Sequence, residues 1–168
     1  MKHLKTILLA TAVCIGSISF SQAQSKVAHI NTQELISAMP EMKSAKSEIE
    51  ALGKTYQQDF QALGTEYQNT AKQYDAEAAT KTTEENNKRM VELQEKQQRI
   101  QQFQVDAQKD LQKKEMDLLQ PITEKAKTAI LKVARAQGFD YVLDSSVGVT
   151  ILADGKNLLD DVKKELGI

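Results

Sequence analysis

From Glu41 to about Gln137 apolar residues recur at steps of three and four, with one interruption at Thr80 to Thr83. That spacing puts them on one face of a helix, and over this length it predicts two long helices rather than a rounded domain. The first runs to about Ala79 along a seam of Met42, Ala45, Ile49, Leu52, Tyr56, Phe60, Leu63, Tyr67, Ala71, Tyr74 and Ala78. The second reaches about Gln137 through Met90, Leu93, Ile100, Ala107, Leu111, Leu118, Ile122, Ala126, Ala129 and Val133, with Gln97, Gln104 and Lys114 in register. Thr83 can cap the second helix, with Glu84 and Glu85 favourable in its first turn, so the pair should fold back as an antiparallel hairpin. Gly53 and Gly64 weaken the first helix by about 1 kcal/mol each relative to Ala. Pro121 inside the second helix predicts a kink or a break, and is a candidate hinge.

The flanks read differently. Lys26 to Ile30 is a short strand, followed by Asn31 as a helix cap with Glu34 three residues on. Leu35, Ile36 and Met39 give that short helix its apolar face, and Pro40 ends it and can open the next. Gly138 ends the second long helix. Phe139–Asp144 and Val147–Leu152 then read as strands around Ser145-Ser146, with a turn at Asp154-Gly155. Asn157 can cap a last helix, Leu158 to Leu166, closed by Gly167. The first strand is too short to stand alone and must pair beyond Gly138. The expectation is an α+β fold in which residues 24–40 and 138–168 build a small body and residues 41–137 project from it as an arm.

Met1 to Ala23 has the pattern of a cleaved secretory signal peptide: Lys2 and Lys5, an apolar run from Ile7 to Ile18, then Ser21-Gln22-Ala23. Export without stable membrane insertion is the expectation, since no second apolar run follows. Loss of that segment removes Lys2, Lys5 and the single Cys, leaving 20 basic residues against 23 acidic ones, a net charge of −3. Between Glu41 and Gln137 there are 16 Lys+Arg and 16 Asp+Glu, so the arm is neutral and the surplus acid belongs to the body. Such a balance argues against nucleic acid as a partner.

Little in the chain points to catalysis. His29 stands in a strand without a nucleophile motif, and no glycine-rich phosphate loop is present. Asp140, Asp144 and Asp154 are turn or strand-end residues that need no cation. No enzyme activity, cofactor or metal is expected. Off the seam, Val91, Val105 and Met116 lie along one stripe of the second helix, and Phe103 is a further off-seam apolar residue. These four are the candidate partner-facing positions.

This order resembles the Skp (OmpH-like) family of periplasmic chaperones. The likeness rests on Val27-Ala-His-Ile-Asn31 leading into a short helix, Gly138-Phe-Asp-Tyr-Val-Leu-Asp144 after the long one, and the Leu158–Leu166 tail. It implies a jellyfish-like homotrimer with helical arms around a cavity. It also implies an ATP-independent holdase for unfolded outer-membrane proteins in the periplasm. Better-known members are strongly basic. Here Lys72, Lys81, Lys88 and Arg89 are balanced by Asp75, Glu77, Glu84 and Glu85, so no lipopolysaccharide-binding basic patch carries over. Two other readings remain: a coiled-coil envelope spacer or adaptor without chaperone activity, and an enzyme with a cryptic site around His29, Asp144 and Asp154.

Overall fold

The computed structural model describes residues 25–146, 148, 150 and 152–168, so Met1 to Ala23, expected to be a signal peptide, lie outside the described residues. Strand β1 (Val27–Ile30) leads into helix α1 (Thr32–Ala38), then α2 (Pro40–Glu77), a 3-10 turn (Ala78–Thr80) and α3 (Thr83–Ala136). Strand β2 (Tyr141–Asp144), the short β3 (Lys156–Asn157) and α4 (Leu159–Leu166) complete the chain. At 1.5 Å per residue, α2 and α3 are about 57 Å and 81 Å long.

The expected closure of the ends is present. The sheet order is β2-β1-β3, with β1 parallel to both neighbours. Val27 to Ile30 stand in register with Tyr141 to Asp144. A parallel pairing needs a crossover connection, and here the crossover is the whole arm. The strand expected at Val147–Leu152 includes residues 147, 149 and 151, which lie outside the described set. On the other side of β1, Lys156 and Asn157, just after the expected turn at Asp154-Gly155, form β3, and Asn157 Oδ1 still accepts from Leu159 N at 2.9 Å at the start of α4. Gly155 explains part of this: a Cβ there would come within 3.1 Å of the Val27 carbonyl oxygen. Leu158 N then donates to His29 O at 3.0 Å.

The local signals account for the helix ends. Asn31 Oδ1 accepts from Glu34 N at 2.9 Å, and Met39 takes the extended conformation that a residue before proline prefers. Pro40 occupies the first turn of α2, where its missing N–H costs nothing. The cap of α3 is Thr82, not Thr83: Thr82 Oγ1 accepts from Glu85 N, and Glu85 accepts from Thr82 N in return. The fourfold spacing of the capping box needs the glutamate three residues on, and only Thr82 has Glu85 there. Gly138, at φ 71°, ends α3: its N–H reaches Arg135 O and Phe139 N reaches Ala134 O.

The core sits where the sheet meets the roots of the arm. Ile30, Leu35, Met39, Leu158 and Val162 are fully buried. Ala126, Ala129 and Ala134 of α3 are buried beside them, and their small size lets α3 lie close to its neighbours. Pro121 does not break α3, which runs unbroken across it. It removes one helical hydrogen bond, because it has no N–H to offer Asp117.

Along the arm the seam differs from expectation in the distal half. Met90, Gln97 and Gln104 are exposed, while Arg89, Leu93, Lys96, Ile100, Phe103 and Ala107 turn inward. Phe103 is a correction: it is not an outward group but packs edge-on against Tyr56, with ring centroids 5.9 Å apart. At Gly53 and Gly64 a Cβ would meet nothing within 4 Å, so neither glycine is required by packing. Gly53→Ala and Gly64→Ala should therefore each raise stability by up to about 1 kcal/mol through helix propensity. A urea titration with lowered midpoints for both would contradict this.

Candidate functional site

The arm is held together by polar groups that reach across the hairpin. In four ion pairs α2 supplies the carboxylate and α3 the cation: Glu41–Lys125, Glu48–Lys114 at 2.7 Å, Glu66–Lys96 at 2.5 Å and Glu77–Arg89. Two tyrosines add to them. Tyr56 Oη donates to Asp110 at 2.6 Å and Tyr74 Oη to Glu92 at 2.5 Å. The Arg89 guanidinium also lies 4.5 Å from the Tyr74 ring centroid. Arg and Lys can occupy seam positions because their stems cover apolar surface while their heads reach acceptors at the edge. A search for apolar periodicity alone passes over them.

These contacts leave an electrical signature. Lys96 beside Glu66, Arg89 beside Glu77 and Lys125 beside Glu41 hold the three carboxyls below their ordinary range. Hydrogen bonding to Asp110 and Glu92 raises Tyr56 and Tyr74, because it favours the protonated phenol.

With the charges of the seam drawn inward, the outer side of α3 is mixed in character. Val91, Val105 and Met116 are 54%, 47% and 65% exposed. They are 14 and 11 residues apart, which keeps them within about 40° of one another around the helix. Gln98, Gln102, Lys109 and Gln112 share that side and are exposed. Followed toward the body, the same side reaches Thr123, Lys127, Ile130 and Leu131. These line a groove of about 510 Å³, whose other wall includes Ile36, Phe139 and Val142. The stripe read from the sequence is thus part of a longer surface that ends in a body groove. That groove could not be read from the sequence, because β1, α1 and β2 build it from distant segments.

Two of the residues considered for chemistry, Asp140 and Asp144, are engaged in fold contacts. Asp144 accepts from Thr32 Oγ1 at 2.5 Å, from Thr32 N at 3.3 Å and from Ser146 N at 2.9 Å. Burial pushes the Asp144 carboxyl up, but these donors outweigh it and the net direction is down. Asp140 accepts from Lys26 N at 2.9 Å. Among the described residues no cluster of three or more His, Cys, Asp or Glu could hold a metal ion, and no helix is long and apolar enough to cross a membrane. Pro121 and Pro40 line one groove at the arm root, beside Ala45 and Leu118.

The family model described as Outer membrane protein (OmpH-like) matches residues 26–166. The chain belongs to the OmpH-like family. The resemblance read from the two ends of the chain is therefore correct. OmpH-like relatives include a Chaperone protein Skp from Photorhabdus laumondii subsp. laumondii, 24% identical over 158 residues, covering 94% of this chain and 93% of that one. The Chaperone protein Skp of Photorhabdus luminescens is 24% identical over 166 residues, covering 97% and 99%. A crystal structure of a candidate outer membrane chaperone (OmpH-like) from Caulobacter crescentus CB15 shares the fold. Its TM-score is 0.76 at 21% identity, with 86% of this chain and 85% of that one covered.

The ion pairs of this OmpH-like arm make a definite pH statement. A carboxyl depressed in the folded state stabilises it fully above its ordinary value, 4.5 for these glutamates, and that contribution is lost as pH falls through the depressed value. The stability difference between the parent and a Glu66→Gln, Glu77→Gln variant should be constant from about pH 7 to 5 and shrink below about 4.5. Circular-dichroism melts across that range test it. A difference that already shrinks at about pH 6 would place the effect elsewhere.

Proposed function

We propose that this chain is an ATP-independent periplasmic holdase that keeps unfolded outer-membrane proteins from aggregating. The observation that carries this reading is the long outer surface of α3. Val91, Val105 and Met116, interspersed with Gln98, Gln102 and Gln112 and with the charged Glu95, Lys109 and Lys113, run toward an apolar groove in the body. Such a surface offers many weak contacts and no sequence-reading site. An unfolded β-barrel chain, rich in alternating apolar residues, could be held at several of them at once. The relatives named as Skp chaperones support the class of activity, and the signal-peptide pattern of Met1 to Ala23 supports a periplasmic location.

The same reading places three copies in one homotrimer, with the bodies joined and the arms enclosing a cavity. Among the described residues β2 and β3 lie at the edges of the sheet, and edge strands favour such an assembly, because a partner strand can satisfy backbone groups left over at an edge. Pro121 serves as the hinge at which an arm adjusts to clients of different size. No nucleotide, metal or other cofactor takes part, no residue acts catalytically, and release follows when the client folds elsewhere.

The test uses a urea-unfolded outer-membrane protein diluted into buffer without ATP, with light scattering followed over time. The purified mature chain in trimer excess should suppress scattering, and unchanged scattering would reject the holdase reading. Replacing Val91, Val105 and Met116 together by Gln should weaken the suppression while far-UV circular dichroism stays the same. Because the arm is neutral, suppression should change little between about 0.05 M and 0.5 M salt. A steep loss with salt would show that charge, not apolar contact, does the holding.

A further inference from the structure

We propose that Met116 is a reversible oxidation site, whose sulfoxide, formed by a hydroperoxide, weakens the arm's hold on an unfolded chain. The inference rests on the holdase reading above and deepens it.

Sulfur is distributed unevenly in this molecule. The single cysteine, Cys14, lies in the expected signal peptide, so beyond that segment every sulfur is a thioether. Four methionines follow it: Met39, Met42, Met90 and Met116. Met39 is fully buried, and Met42 packs against the core at the arm root. Met90 and Met116, both on α3, are 68% and 65% exposed. An oxidant in solution must reach the sulfur lone pair. The two exposed thioethers are open to it, and Met39 is not.

Position separates Met116 from Met90. At about 100° per residue, Met116 lies within about 20° of Val91 and Val105 around α3, whereas Met90 lies about 80° away from it. Along the helix, Met116 stands about 17 Å from Val105 and about 23 Å from Leu131, which lines the body groove. Between those two it is the one exposed large apolar side chain on α3. Gln112 and Gln120, one turn away on either side, are exposed and polar. Met116 therefore links the distal stripe to the groove, and a chain laid along both must cross it.

A thioether suits that place, because an unbranched, polarizable side chain adapts to unlike partners. It also differs from Val91 and Val105 in being open to a reversible change of polarity. As the O–O bond of a hydroperoxide breaks, one oxygen passes to sulfur, which is oxidised by two electrons, and the peroxide leaves as an alcohol, or as water when it is hydrogen peroxide. The new S–O dipole is hydrated, so covering it with an apolar segment strips its water and returns no hydrogen bond. A dithiol, acting through a methionine sulfoxide reductase, reverses the step: the oxygen leaves as water and the dithiol becomes a disulfide.

The experiment treats the purified mature chain with hydrogen peroxide, removes the peroxide and repeats the light-scattering assay. Peptide mass spectrometry locates the sulfoxides, and circular dichroism checks that the helices persist. Sulfoxide should form at Met90 and Met116 and not at Met39. The chain concentration that half-suppresses scattering should rise about threefold or more after peroxide. Reductases for the two sulfoxide epimers, with a dithiol, should reverse the rise. Each variant is compared with itself before and after peroxide. Met116→Leu should show no rise, and Met90→Leu should show the parent's rise. A Met116 that stays unoxidised, an oxidised parent that suppresses as well as before, or a Met116→Leu variant that loses as much as the parent would overturn the role of Met116. A parent that fails to suppress scattering before any peroxide would overturn the holdase reading itself, and this one with it.

Discussion

Everything in this molecule depends on the pairing of four residues near its beginning with four beyond its arm. Val27 to Ile30 cannot hold a strand conformation alone, and their partners Tyr141 to Asp144 arrive after the entire hairpin. The loop-closure entropy of so long a connection is limited, since it grows only with the logarithm of length. The hairpin removes most of the rest by folding back on itself, so that Pro40 and Gln137 leave and re-enter the same small body. Burial of Ile30, Leu35, Met39, Ala126 and Val162 then seals the junction. Closure of the sheet and docking of the arm roots are one event, because β1 contributes to both.

The arm is built on another principle. Its root is dry, with Ala45, Ile122 and Ala126 buried, but farther out the described side chains are only partly covered. Two bare helices give each seam residue neighbours on one side only, so an apolar seam alone would be weakly specified in register. The cross-hairpin pairs supply register instead. Exposed pairs add little stability, typically below about 1 kcal/mol each. Their consistent polarity, acid on α2 and base on α3, nevertheless disfavours any slip that would bring like charges together. The arm is thus specified more strongly than it is stabilised, and Gly53 and Gly64 reinforce that balance.

This division explains what could be read in advance. The two long helices, their reversal, the short first strand and its distant partner, and the glycine and proline boundaries were legible because each depends on local spacing or on a backbone restriction. The distal seam was not. Leu93 and Ile100 were placed correctly, but the next turn was assigned to Met90 instead of Arg89 because hydrophobicity was the criterion. What selects Arg89 is the Tyr74 ring and Glu77 on the other helix, a condition that one helix's pattern does not contain. Phe103 was misplaced for the same reason: its partner Tyr56 lies 47 positions earlier in the sequence. β3 was missed because two residues give no periodicity, and their pairing with Ala28 and His29 joins segments far apart in the sequence.

The distribution of charge follows from these two building methods and bears on how the surfaces can act. Four of the arm's sixteen basic residues and four of its sixteen acidic ones pair across the hairpin, and its outward stripe carries valine, methionine and glutamine among charges of both signs such as Glu95, Lys109 and Lys113. Acid in the body is spent on backbone donors, as at Asp144 and Asp140, or on helix ends, as at Asp160 and Asp161 in the first turn of α4. Neither region concentrates one sign of charge into a field that would attract a partner from a distance. Under the proposed holdase reading, contact would come first and selectivity afterwards, through the area of apolar surface that a partner can place along the arm. A folded protein presents little such surface and an unfolded one presents much, and that difference requires no recognition residue.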